Sequence, residues 1–143
     1  MRKLTFLVVV LLLIGGIAFA QGMWKDGTYT AEGGSFSHGW KNMVMIVVEN
    51  GYIVEAHFDA IPEEGGKYKY LASLQGEYGM VANSDAQDYW YVQVDRAAQY
   101  LLQEQDPSRI VRRGGDVDAL SGVSVTIVPH FELAQQALRN ARR

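Results

Sequence analysis

Apolar and polar positions along this chain change period several times, and each change marks an element. Residues 4–20 are an almost unbroken apolar run behind Arg2 and Lys3. Residues 26–32 then alternate small or polar side chains with Tyr29 and Ala31, which predicts a first strand. A Gly/Ser loop over residues 33–39 ends at Trp40. Residues 43–48, Met-Val-Met-Ile-Val-Val, are apolar at every position, which predicts a central strand covered on both faces. Asn50-Gly51 supplies the two positive-φ residues of a type I′ hairpin turn. Beyond it Tyr52, Val54, Ala56, Phe58 and Ala60 alternate with Glu55, His57 and Asp59, the mark of a strand with one wet face.

Pro62, Gly65 and Gly66 break that period. A short helix is predicted around residues 71–78. A longer one, capped by Ser84 or Asp85, runs to about Gln105, with Trp90, Val94, Ala97, Ala98 and Leu101 at helical spacing and Pro107 as its stop. Pro129 suits the first turn of a last helix. Ala134, Ala137, Leu138 and Ala141 form its buried stripe, and Arg139, Arg142 and Arg143 sit where its dipole favours cations. The order predicts an α+β fold: a small antiparallel sheet with a β-hairpin at its centre, packed by two to three helices.

The leading segment changes the picture of where the protein works. A basic start, an apolar stretch and Ala18-Phe19-Ala20 before Gln21 match a secretory signal peptide over residues 1–20, with an uncleaved N-terminal anchor as the alternative. Residues 21–25 read as a short tether and residues 26–143 as one domain. The chain holds no cysteine, so neither a disulfide scaffold nor a lipidated N-terminal cysteine is available. Thirteen Lys and Arg oppose sixteen Asp and Glu; losing Arg2 and Lys3 with the leader leaves eleven against sixteen, a net charge of −5. An acidic domain repels nucleic acid, which is not expected as a partner.

Candidate chemistry concentrates in Asp118-Ala-Leu-Ser-Gly-Val-Ser124-Val-Thr126, just ahead of the last helix. Hydroxyls around a glycine near a helix N-terminus suit either a bound phosphate or an ordinary turn with an N-cap. A Ser/His/Asp set from Ser121 or Ser124, His130 and Asp118 lacks a nucleophile elbow and is crowded into one loop, which disfavours a hydrolase. The three histidines, His38, His57 and His130, have no metal-ligand spacing.

The loop resembles the Asp-x-x-Ser/Thr-Gly-Ala-Thr signature of the FMN-binding domain family, with Val123 in place of the alanine and Ser124 in place of the last threonine. The resemblance extends from Asp26-Gly-Thr-Tyr-Thr-Ala through Val-Glu-Asn-Gly-Tyr-Ile-Val-Glu-Ala and Glu77-Tyr78-Gly79-Met80 to the last helix. It is close to the small, exported, single-domain branch, similar to the flavinylated domains of the Na+-translocating NADH:quinone reductase and Rnf-type complexes. The resemblance implies FMN carried as a phosphoester on Ser124, with Asp118, Ser121 and Gly122 as the context read by a flavin transferase and Thr126 as a lesser acceptor. It also implies a carrier in extracytoplasmic electron transfer, periplasmic or at the cell surface. Its partners would be redox proteins or membrane electron-transfer components. Trp40 and Tyr78, each near glycines, are the preferred walls for the flavin ring, and Lys41 is a candidate for the phosphate as well as an ordinary surface lysine. The alternative is a degenerate, non-catalytic member acting as a surface or binding module with loose flavin or none.

Overall fold

In the computed structural model, the described residues are 22–79, 88–116, 120, 123 and 125–143. Strands β1 (Gly27–Glu32), β2 (Trp40–Glu49) and β3 (Tyr52–Pro62) form an antiparallel sheet in the order β1-β2-β3. Asn50 and Gly51 join β2 to β3 with φ of 52° and 82°, as the Asn-Gly pair predicts. Helices α1 (Lys69–Leu74), α2 (Trp90–Glu104), α3 (Pro107–Arg112) and α4 (Val128–Ala137) follow, with a 3-10 turn at Gly114–Asp116. Helix α2 packs on β3, and α4 lies across β2 and β1 with α3 beside it. The core lies between: Val44, Ile46, Val48, Ile53 and Phe58 from the sheet meet Val94, Leu101, Ile110 and Phe131 from the helices. Each such large side chain contributes roughly 1.5–3 kcal/mol by leaving water. This is the α+β architecture expected.

The departures from the predicted pattern have local causes. The β2–β3 register shifts between Val47 and Val48, so that Val48 faces Ile53 while Val47 faces Glu55. One extra residue on β3 reverses its phase. Ile53 therefore points inward, and Tyr52 and Val54, expected inside, stay exposed, while Ala56, Phe58 and Ala60 keep the predicted face. On β2 only the Val44, Ile46 and Val48 face is sealed; Met43, Met45 and Val47 are half-buried, beside exposed Thr28, Thr30 and Glu55. Asp59, expected on a wet face, is 4 % exposed.

The predicted caps Ser84 and Asp85 lie outside the described residues. Helix α2 begins at Trp90 after an extended Tyr89 that makes no side-chain cap. Pro107 does stop α2, but it also opens α3: Asp106 caps the Ser108 N–H and proline occupies the first turn, where its missing N–H costs nothing. This gives one short helix more than the pattern predicts. Residues 22–25 are docked on the domain instead of forming a tether. Trp24 is 3 % exposed, its indole N–H donates to the Gln105 carbonyl, and the Lys25 and Arg143 N–H groups bond the Ala141 and Met23 carbonyls. The C-terminal arginines are drawn into this pairing. Helix α4 ends at Ala137, Arg142 lies over the Trp24 ring, and Arg143 pairs with Asp26.

Candidate functional site

Two loops, the start of α1 and one side of α4 frame a cavity of about 1020 Å³, at or just above the upper end of the range usual for small-molecule sites. The first loop turns back on itself at His38-Gly39, where Ser37 and Trp40 exchange backbone hydrogen bonds of 2.8 and 3.0 Å. That turn sets Trp40 at the head of β2 with its ring toward the cavity. Helix α1 is positioned by a group from the sheet. The buried Asp59 carboxylate accepts the Tyr70 N–H at 2.8 Å and the Ala60 N–H at 2.7 Å, and its other oxygen meets His57 Nε2 at 3.1 Å. A carboxylate at a helix start satisfies a free N–H and complements the dipole. This cap fixes Lys69, the first residue of α1.

Among the described residues, Lys69 is the only lysine or arginine lining the cavity. Its ammonium lies 4.4 Å from the centre of the Tyr78 ring, 4.9 Å from Trp90 and 5.5 Å from Trp40. Trp40 and Tyr78 meet edge to face at 6.1 Å. His130, on α4, is 2 % exposed and stacks on Phe58. Its Nε2 donates to the Asp59 carbonyl at 3.0 Å, which leaves Nδ1 a buried acceptor without a partner among the described residues. Burial pushes its pKa down to about 4, and nearby Lys69 adds to the shift, so the ring is neutral at pH 7.

The remaining wall comes from the signature segment. Leu120 and Val123 are buried in the core, the Val123 N–H bonds the Leu120 carbonyl at 3.2 Å, and the Val125 N–H bonds Gln93 Oε1 at 3.0 Å. Val125 and the exposed Thr126 then line the cavity ahead of α4. Three of the residues singled out in the sequence, Trp40, Tyr78 and Thr126, thus share one cavity. Asp118, Ser121, Gly122 and Ser124 lie outside the described residues.

Lys41 is elsewhere: it pairs with Glu32 at 2.9 Å and lies over Phe36. Lys69, not Lys41, lines the cavity, and no local signal marked it, because its position depends on a cap contributed ten residues earlier. His130 was weighed only for a hydrolase, whereas here it is a neutral ring beneath the aromatic wall. Among the described residues no cluster of His, Asp or Glu could hold a metal ion, and no helix is long and apolar enough to cross a membrane.

No family model matches the chain, and no curated protein does. Two solved structures do. A crystal structure of a Clostridium perfringens protein has 25 % identity, a TM-score of 0.62, and covers 83 % of this chain and 89 % of its own. A solution NMR structure of a Clostridium thermocellum protein has 38 % identity, a TM-score of 0.58, and covers 81 % of this chain and 91 % of its own. At that identity over that length, the chain belongs to the same family as the Clostridium thermocellum protein.

Proposed function

We propose that this protein is an exported carrier of FMN, held by a phosphoester on Ser124, that passes electrons outside the cytoplasm. The observation that carries the reading is the cavity directly after the signature segment, walled by Trp40, Tyr78 and Trp90 and bordered by Thr126. The residues present fit the group. Flat aromatic walls suit a tricyclic ring, a lysine offers charge to a phosphate, and the volume accommodates a drug-sized ligand. FMN itself would supply the electron-transfer chemistry.

The chain's own part is to bind, orient and screen. Trp40 and Tyr78 would wall the ring, and neutral His130 keeps a second positive charge out of the floor. The Val123 side chain packs into the core. In the attachment reaction the Ser124 hydroxyl gives its proton to a base of the flavin transferase. Its oxygen would then attack the FMN phosphorus of a flavin dinucleotide, the phosphoanhydride bond breaking and the nucleoside monophosphate leaving. A free serine is a weak nucleophile that needs such activation.

Co-expression with a flavin transferase followed by denaturing electrophoresis tests this. A fluorescent band from the wild type, absent in Ser124→Ala and retained in Thr126→Ala, is the expected result. A band that survives Ser124→Ala and disappears in Thr126→Ala moves the attachment site. Flavin held in native buffer and lost on denaturation points to a non-covalent module, and no flavin under either condition sinks the reading.

A further inference from the structure

Two of the four described lysines meet carboxylates: Lys41 pairs with Glu32 and Lys67 with Glu77. Lys69 differs. It is half-buried, and among the described residues no carboxylate lies within ion-pair distance of it. Its neighbours are the faces of Trp40, Tyr78 and Trp90, which attract a cation without neutralising it. Among the described residues, the lining therefore sets one cation, without an ion-pair partner, inside an aromatic frame. Glu132, the one acidic residue among the described lining residues, is exposed on α4.

Aromatic walls accept any flat ring, with or without a phosphate. A lone cation in a partly dehydrated cavity discriminates, because its attraction to an anion is stronger there than in bulk water. We propose that Lys69 is the specificity-determining residue of the cavity, recognising the phosphate of a phosphorylated aromatic ligand. With the FMN reading, on which this rests, it is the residue that separates FMN from riboflavin, the same ring without phosphate. Recognition precedes ester formation: Lys69 holds the phosphate while the flat ring sits against the aromatic frame.

The test uses the protein produced without a flavin transferase, titrated separately with FMN and riboflavin and followed by flavin fluorescence. A charge-assisted hydrogen bond to phosphate predicts that the wild type prefers FMN by about tenfold or more. Lys69→Gln should abolish that preference by weakening FMN binding alone, and Lys69→Arg should keep it. Equal loss for both flavins in Lys69→Gln would mean that the side chain only packs against the rings, and the proposal fails. A wild type that binds both equally also overturns it, and if the transferase still yields a fluorescent band the carrier reading stands without it. Neither flavin bound and no band would remove both.

Discussion

Gln105 and Ile53 are joined by two hydrogen bonds: Gln105 Oε1 accepts the Ile53 N–H at 2.7 Å, and Gln105 Nε2 donates to the Ile53 carbonyl at 2.8 Å. The side-chain amide does at the edge of β3 what the backbone of a further strand would do. The same Nε2 reaches the Leu102 carbonyl, and the Gln105 carbonyl accepts the Trp24 indole N–H. Gln105 holds these positions from a left-handed conformation, φ 61°, at the end of α2. One residue thus ties the N-terminal segment, α2 and the bulged strand together.

Gln105→Ala is expected to cost about 2–4 kcal/mol, because it strands both polar groups of Ile53, a residue 2 % exposed. Gln105→Asn relieves the left-handed strain but is one methylene too short to bridge, so its cost should stay close to that of alanine. Urea denaturation measures both. An alanine variant as stable as the wild type would mean that water replaces the amide.

Gly51 and Gly39 share one backbone conformation and differ in surroundings. Their φ values are 82° and 81°, yet a Cβ on Gly51 would come within 2.7 Å of Gly22, while one on Gly39 would meet nothing within 4 Å. Gly39→Ala should therefore cost only backbone strain, on the order of 1 kcal/mol. Gly51→Ala adds a backbone clash that pushes residues 22–24 off the hairpin, and its cost should exceed that of Gly39→Ala by at least about 1 kcal/mol. Thermal unfolding of the two variants gives the difference, and equal values would show that the N-terminal segment yields freely.

These positions show where the sequence stops being legible. Period and turn chemistry are local, so the Asn50-Gly51 hairpin, the α2 stripe and the first turn of α4 are readable one residue at a time. The bulge at Val54 is not, since alternation reads smoothly through it and only pairing with β2 exposes the extra residue. Pro107 has two meanings, stop and start, and the second needs Asp106 recognised as its cap. At the site, Trp40, Tyr78 and Thr126 could be named from glycine neighbours and motif. Lys69 could not, because Asp59 places it from another element.

His130 sets a pH dependence. Its folded pKa is pushed down to about 4 from 6.5, mainly by burial, so the unfolded chain binds the proton more tightly. The stability this contributes is whole above pH 6.5, declines as pH falls from 6.5 toward 4, and is gone below that. The loss amounts to about 3 kcal/mol at the one-unit equivalence of 1.36 kcal/mol. His57 runs the other way: its hydrogen bond with Asp59 raises its pKa, and that contribution fades as pH rises through the folded value. His130→Phe loses the bond to the Asp59 carbonyl and should be less stable at pH 7. Its denaturation midpoint should nevertheless fall less steeply than that of the wild type between pH 6.5 and 4. Parallel slopes would show that other groups govern the acid limb.

Val123 offers a test of the signature segment that separates stability from loading. It stands where the FMN-binding resemblance has alanine, and a branched side chain there could be expected to obstruct a transferase. Its side chain is instead 9 % exposed and packs in the core cluster with Leu120. Truncation to alanine removes two buried methyl groups and should cost about 1–2 kcal/mol. If the side chain never faces the transferase, Val123→Ala gains nothing in loading, and its fluorescent band should match the wild type at a temperature where both are folded. A lower melting temperature with an unchanged band is the expected pair of results. A band that grows strongly would instead identify Val123 as the barrier between this chain and its flavin.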